Sequence, residues 1–384
     1  MPQPENPNGA GRGVGFTSPI VDRIRAAGNV LELPGGQILL PKVFGFCRGV
    51  QRALTLLDQA VLEHARRGRR LFLLGQIIHN PWVNRHFQDR GVRVLAREEL
   101  ADLERLVRPE DVVIIPAFGV PLPVEKRLLA IGCEIVDTSC TDVRRLWNWA
   151  QQAAAEGYGI LIFGRANHDE TVVTKSRLEA CGGKYVVAGK LDQVEQFCRL
   201  IAGQSPPASF GEAFNSQATN SRDLAPFERL AQVSQTTMLY DETMTVRRKI
   251  EQAFAQRFGQ EGLSGRLLFQ PTVCRATQAR QASAVELCRK GLDRLIVVGG
   301  FGSSNTRHLY ELARSFAPTY FIESAEAIIS AAELRTVDPQ TSEPTVVRDF
   351  LGPSRSVRIG VLAGASSPEA VVGEVLEKLA AFLA

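Results

Sequence analysis

Short apolar runs alternate with longer segments in which apolar residues return every three or four positions, and the alternation continues over most of the chain. Nine of the runs read as strands: GQILLPKVF, RRLFLLGQI, EDVVIIPAF, CEIVDT, YGILIFG, RLAQVSQ, RLLFQPTV, RLIVVGG and VRIGVLAG. Most of them end in a Gly, Ser, Thr or Asn turn that opens an amphipathic segment. The segment GVQRALTLLDQAVLEHARRG after Cys47 is the clearest, with Leu54, Leu57, Ala60, Val61 and His64 on one helical face. Strand, turn and helix in repeated succession predict an α/β fold with parallel pairing.

The nine units sort into three sets of three. The first unit of each set runs strand, cysteine, helix: VFGFCRGVQRAL, VDTSCTDVRRLW and QPTVCRATQARQ. The second ends in a polar turn: LLGQIIHNPWVNRHF, LIFGRANHDETVVTK and VVGGFGSSNTRHLYEL. The third ends in a turn that opens a helix: IIPAFGVPLPVEKRL, QVSQTTMLYDETMTV and VLAGASSPEAVVGEVL. A short strand-like piece, VRVLA, KYVVAG or TYFIES, stands between the second and third units each time. The pattern predicts three similar α/β modules around a pseudo-threefold axis, at 36–140, 141–270 and 271–384. Residues 1–35 open with MPQPENPNGAGRGVG and read as a disordered tail; the Gly-, Pro-, Ser- and Asn-rich stretch 203–228 reads as a surface insertion in the second module.

Composition narrows the function classes. The chain has 384 residues, 45% hydrophobic and 22% charged, with a formal net charge of +4. These are the proportions of a soluble globular protein, and basic clusters as short as ARRGRR do not make a nucleic-acid surface. No apolar run reaches the ~18 residues of a membrane span, and the N-terminus lacks the apolar core of a signal peptide, so a cytoplasmic location is expected. Seven cysteines, odd in number and without a CxxC spacing, argue against a disulfide framework.

Cys47, Cys140 and Cys274 occupy the same place in the repeat, where a strand hands over to a helix. Ligands of open α/β folds bind at this edge, and a helix N-terminus favours the thiolate. Three thiolates brought to a threefold axis suit a soft metal centre, either zinc or an iron–sulfur cluster. Cys133, Cys181, Cys198 and Cys288 lie in helix-like or loop contexts and read as structural. The polar turns reach the same edge. Ser303, Ser304 and Asn305 in GSSN, and Ser366 in GASSPE, open helices and offer amides and hydroxyls to an anion, although each is also an ordinary N-cap. His79 and His168 stand in matching turns of two modules, and Glu170 is placed to donate a proton.

Taken in order, GFCRGVQRAL, GQIIHNPWV, DTSCTDV, NHDETVVT, VSQTTM, TVCRATQARQ, GSSNT and AGASSPE resemble the 4-hydroxy-3-methylbut-2-enyl diphosphate reductase family, from about Ile38 to the C-terminus and outside 203–228. The resemblance implies a three-module trefoil around a [4Fe–4S] cluster with Cys47, Cys140 and Cys274 as ligands and one open iron. It implies a diphosphate pocket of His79, His168, Ser303, Ser304, Asn305 and Ser366, with Glu170 and Thr236, and His168 beside them, serving proton delivery. The reaction implied is reductive removal of an allylic hydroxyl, giving isopentenyl and dimethylallyl diphosphate. A ferredoxin- or flavodoxin-like donor would supply the electrons, since no nicotinamide fingerprint is present.

Some positions depart from the family pattern. Phe118 in Ala117-Phe118-Gly119-Val120 stands where the family has a histidine that donates to the diphosphate. A donor lost from a charged phosphate weakens binding by roughly 1.5–3 kcal/mol. TSCTD lacks the usual proline after the cysteine, and HDE replaces His-Pro-Glu. Two further readings follow: a related [4Fe–4S] reductase or dehydratase with another substrate, and a non-enzymatic iron–sulfur sensor or electron carrier.

Overall fold

The structure is a computed structural model and describes residues 16–339, 341, 343–352 and 356–384. Its strands, in chain order, begin with β1 (Val30–Leu33), β2 (Gly36–Leu39), β3 (Leu71–Leu74), β4 (Val92–Leu95) and β5 (Val112–Ile115). There follow β6 (Glu134–Asp137), β7 (Gly159–Phe163), β8 (Tyr185–Ala188), β9 (Leu230–Ser234) and β10 (Leu267–Phe269). The last are β11 (Arg294–Val298), β12 (Thr319–Ile322), β13 (Glu333–Val337), β14 (Pro344–Arg348) and β15 (Val357–Ala363). All nine runs read as strands, and the three short pieces between units, contribute to sheets as expected.

The strands form three main sheets, ordered β4-β3-β5-β6, β10-β9-β7-β8 and β1-β2-β15-β11-β12. Written from the short strand inward, each repeats one order: short strand, second-unit strand, third-unit strand, then the strand that leads to a cysteine. β6, β10 and β2 each pair in parallel with β5, β9 and β15 respectively. The threefold repeat is therefore present in the topology, but its phase differs from the expected one. The strand ahead of each cysteine closes the sheet of the preceding module, and β2, near the start of the chain, closes the last sheet. The sheets β4-β3-β5-β6 and β10-β9-β7-β8 fall within 36–140 and 141–270, so only β2, expected in the first module, belongs to the sheet of 271–384. A repeat period does not mark where a module begins; a parallel strand pairs with whichever sheet edge lies open to it.

By compactness the chain forms two units. One comprises residues up to Gly68, Gln76–Arg93 and Ala276–Ala384, and the other Arg69–Gly75 and Val94–Arg275. The first holds the sheet β1-β2-β15-β11-β12. Its core gathers Ile38, Val298, Ile359 and Val361 from the strands with Val372, Val375, Leu376 and Leu379 from the helix Glu369–Leu383. The second holds β10-β9-β7-β8 and most of β4-β3-β5-β6, with fully apolar buried strands such as β5 and β7. The predicted face of the helix Arg48–Ala65 is buried at Leu54, Leu57, Ala60, Val61 and His64.

Two expectations about irregular segments are corrected. Residues 1–15 lie outside the described residues, but the tail expected over 1–35 does not extend through 16–35. Pro19–Ala26 is a helix that buries Ile20, Val21 and Ile24, with proline in its first turn. β1 then pairs antiparallel with β2, Val30 opposite Leu39, and covers the outer edge of that strand. The low-complexity opening masked a short amphipathic helix behind it.

The stretch 203–228 is not a bare surface insertion. Phe210, Phe214, Leu224 and Phe227 are buried in the core of β7 and β8, where Phe214 and Phe227 pack on Phe197 and Phe210 packs on both. Its backbone and side chains line β8: Val187 N donates to Ala218 O at 2.7 Å, Tyr185 N to Asn220 Oδ1 at 3.0 Å, and Thr219 Oγ1 to Tyr185 O at 2.5 Å. The segment thus seals a sheet edge that would otherwise present unpaired groups. Phe210→Ala is expected to cost about 3–5 kcal/mol, read as a fall in the midpoint of chemical denaturation. Among the described residues no helix is long and apolar enough to cross a membrane.

Candidate active site

In the second unit, β7 ends at Phe163 and the chain turns through His168 into the helix Asp169–Ala180. His168 caps that helix: its Nδ1 accepts from Glu170 N at 3.3 Å. An accepting Nδ1 puts the proton of the neutral ring on Nε2, so the outer nitrogen is a donor. Glu170, only 3% exposed, receives two hydrogen bonds from one residue. Thr236 N donates to Oε1 at 2.6 Å and Thr236 Oγ1 donates to Oε2 at 2.7 Å. A buried carboxylate needs such donors, and Thr236, in the turn just past β9, supplies both from backbone and side chain. The carbonyl of the same residue accepts from Cys274 N at 3.0 Å. Acid, hydroxyl and candidate ligand therefore lie on one hydrogen-bonded path, Glu170–Thr236–Cys274.

Cys140 caps the helix Thr141–Ala155, and its N–H donates to Ala117 O at 2.8 Å, which ties the Phe118 turn to it. The turn closes with Gly119 N donating to Pro116 O at 2.9 Å. Gly119 has φ +80°, and a β-carbon there would run into the Trp147 ring, so glycine is required twice over. Phe118 itself is half-buried in this turn.

In the first unit Cys47 caps the helix Arg48–Ala65, and its Sγ accepts from Val50 N at 3.4 Å. Its N–H donates to Ala365 O at 3.4 Å, while Ala365 N donates to Asn305 Oδ1 at 3.0 Å. Ser303 caps the helix Ser304–Ala313, and Ser366 Oγ donates to Ser303 Oγ at 3.0 Å. Ser303, Ser304, Asn305 and Ser366 are all buried. The backbone of His79 lies against Gly300, close enough that no side chain fits there. His79, Ser303, Asn305, Ser366 and Cys47 thus share one set of loops at the strand ends of the sheet.

The structure brings the predicted residues together in two sets: His168, Glu170, Thr236, Cys140 and Cys274 in one unit, and His79, Ser303, Ser304, Asn305, Ser366 and Cys47 in the other. Among the described residues no group of three or more His, Cys, Asp and Glu side chains stands ready to hold a metal ion. The donor chemistry nevertheless separates the cysteines. The three candidates are partly exposed thiols at strand-to-helix turns. Burial pushes the thiols of Cys133, Cys198 and Cys288 up, to about 12 at Cys198 and about 11 at Cys288. Thiols held protonated by burial suit packing, whereas three thiols that open helices at strand ends have the placement that suits iron–sulfur ligation. Sequence reasoning missed Thr277, which accepts from Asn305 Nδ2 at 3.3 Å, and Thr306, whose Oγ1 donates to Ser303 at 2.9 Å. A threonine within a helix carries no periodic signal that separates such roles from packing.

Residues 38–380 match the family model described as LytB protein. A protein of Gloeobacter violaceus named 4-hydroxy-3-methylbut-2-enyl diphosphate reductase is 34% identical over 374 residues, covering 95% of this chain and 87% of its own length. One of Thermosynechococcus vestitus with the same name is 33% identical over 369 residues, covering 95% and 89%. With 95% of the chain covered, these alignments reach upstream of Ile38, in keeping with the ordered segment from Phe16. A solved structure of (E)-4-hydroxy-3-methyl-but-2-enyl diphosphate reductase, described as the terminal enzyme of the non-mevalonate pathway, superposes with TM-score 0.54 at 27% identity, over 89% of this chain and 98% of that one. The Plasmodium falciparum E-1-hydroxy-2-methyl-but-2-enyl-4-diphosphate reductase superposes with TM-score 0.64 at 21% identity, over 88% and 86%, and speaks for the fold.

Proposed function

The chain belongs to the LytB protein family, and from that premise we propose that it is an oxidoreductase that removes the allylic hydroxyl of 4-hydroxy-3-methylbut-2-enyl diphosphate. The overall change breaks one C–O bond, forms one C–H bond and releases water, consuming two electrons and two protons. The products are isopentenyl and dimethylallyl diphosphate. The observation that carries the reading is the buried Glu170 held by Thr236, whose carbonyl in turn takes the Cys274 N–H. A chain that only carried electrons would have no use for a shielded carboxylate and hydroxyl beside a ligand turn.

In this proposal Cys47, Cys140 and Cys274 hold a [4Fe–4S] cluster. When bound, the cluster supplies electrons and, at the iron without a cysteine, a Lewis acid for the departing oxygen. Glu170 holds the proton that leaves with that oxygen, and Thr236 orients it through two hydrogen bonds. His79, Ser303, Ser304, Asn305 and Ser366 bind the diphosphate through hydroxyl, amide and ring donors, with His168 Nε2–H as a further donor. Electrons come from a ferredoxin- or flavodoxin-like carrier. Relatives at 33–34% identity that carry the reductase name favour the family's own substrate over an altered one. Phe118 then lines the pocket without donating to it.

The test is turnover of protein purified without oxygen, with dithionite and a viologen mediator as reductant. Isopentenyl and dimethylallyl diphosphate are expected as products. Protein that retains iron and acid-labile sulfide yet leaves the diphosphate untouched would overturn the proposal.

A further inference from the structure

Helix Arg48–Ala65 starts directly at Cys47, and helix Pro81–Gln88 and the residues that follow it are tied to this region. Two sets of contacts make the tie. Near the starts of the helices, Phe16 packs on Phe46 at 5.4 Å between ring centroids and on Trp82 at 5.5 Å. Further along, Asp58 pairs with Arg90 at 2.6 Å. Phe16 thus joins the residue ahead of Cys47 to the first turn of helix Pro81–Gln88.

The outward faces of those first turns are basic and aromatic. Arg48 and Arg52, one turn apart, are exposed, and so is Arg85, one turn beyond Trp82. Trp82 is 38% exposed although its ring stacks on His86. Neither helix has an acidic residue in its first turn, and Asp58 is engaged by Arg90. An exposed tryptophan together with exposed arginines has the composition of a protein-binding centre, not of a solvated helix face.

We propose that this face, Arg48, Arg52, Trp82 and Arg85, docks an acidic one-electron carrier protein beside Cys47. The inference rests on the reductase reading above and identifies where the electrons enter. Charge complementarity selects the occupant: three exposed arginines attract and orient a negatively charged partner. Each encounter oxidises one reduced carrier by one electron, and two encounters match the two-electron removal of the hydroxyl.

The experiment compares two reductants on the same holoprotein, using a reduced acidic [2Fe–2S] ferredoxin as the carrier and dithionite with a viologen as the small donor. Arg48→Glu combined with Arg85→Glu is expected to lower kcat/KM for the ferredoxin about 10- to 100-fold at low ionic strength. Dithionite-driven turnover should stay within about twofold, since a small reductant needs no docking face. Raising the salt should slow ferredoxin reduction of the unaltered protein and narrow the gap to the variant. Titration calorimetry of the ferredoxin with each protein reads the same surface without turnover, and should show the loss of affinity directly. Unchanged ferredoxin affinity and kcat/KM in the charge-reversed protein would overturn the docking face, as would an equal loss with both reductants. If the unaltered protein bound ferredoxin through these arginines but turned over with neither donor, the reductase reading would fail while the docking face stood.

Discussion

Replacing Cys47, Cys140 or Cys274 by serine is expected to remove most of the iron and acid-labile sulfide and to reduce activity to background. A lost second-shell partner already costs a metal site roughly 10- to 100-fold, and loss of one of three ligands exceeds that. Serine keeps the shape of each turn, including the helix cap at Cys47 and Cys140, so the fold should persist. The same change at Cys133, Cys198 or Cys288, whose thiols are held up by burial, should leave iron content unchanged. Iron and sulfide assays with circular dichroism as the folding control decide the matter. Full iron content in any one of the three variants would remove that cysteine from the ligand set.

Glu170→Gln should keep the cluster and lose the chemistry. The amide can accept from Thr236 N through its oxygen and donate to Thr236 Oγ1 through its nitrogen, so the two contacts now made at 2.6 and 2.7 Å survive. The acidic proton does not. A positioned acid contributes typically 10²- to 10⁴-fold, and kcat is expected to fall by about that factor while iron content and the electron paramagnetic spectrum stay as before. Thr236→Val removes one of the two donors to the carboxylate and should give a smaller loss. Turnover of the glutamine variant within about threefold of the unaltered protein would show that Glu170 does not supply the proton.

The candidate site was more legible than the shape of the modules. His168 could be singled out because its turn matches that of His79, and Ser303 because it opens a helix after a glycine-rich turn; both are caps in the structure. The pairing of Glu170 with Thr236 could not be read, because 66 positions separate them and no periodicity links a helix start to a distant turn. It took the parallel register of β7 and β9, Phe163 beside Ser234, to bring the two turns level. Residues 16–35 and 203–228 were misjudged for a related reason. Their Pro-, Gly- and Ser-rich composition hid the few apolar residues, such as Ile20, Ile24, Phe210 and Phe227, that bury them.

By itself the amino-acid order determined the strands, the helices behind them, the threefold repeat and the candidate residues of the site. These are local properties, set by apolar periodicity and by the residues that suit a turn. Only the tertiary structure decided which sheet each cysteine-bearing strand closes, which segments cover the sheet edges, and that one threonine serves both the buried acid and a candidate ligand. Those outcomes depend on which open edges and unpaired polar groups meet in space, and burial lets almost none stay unpaired.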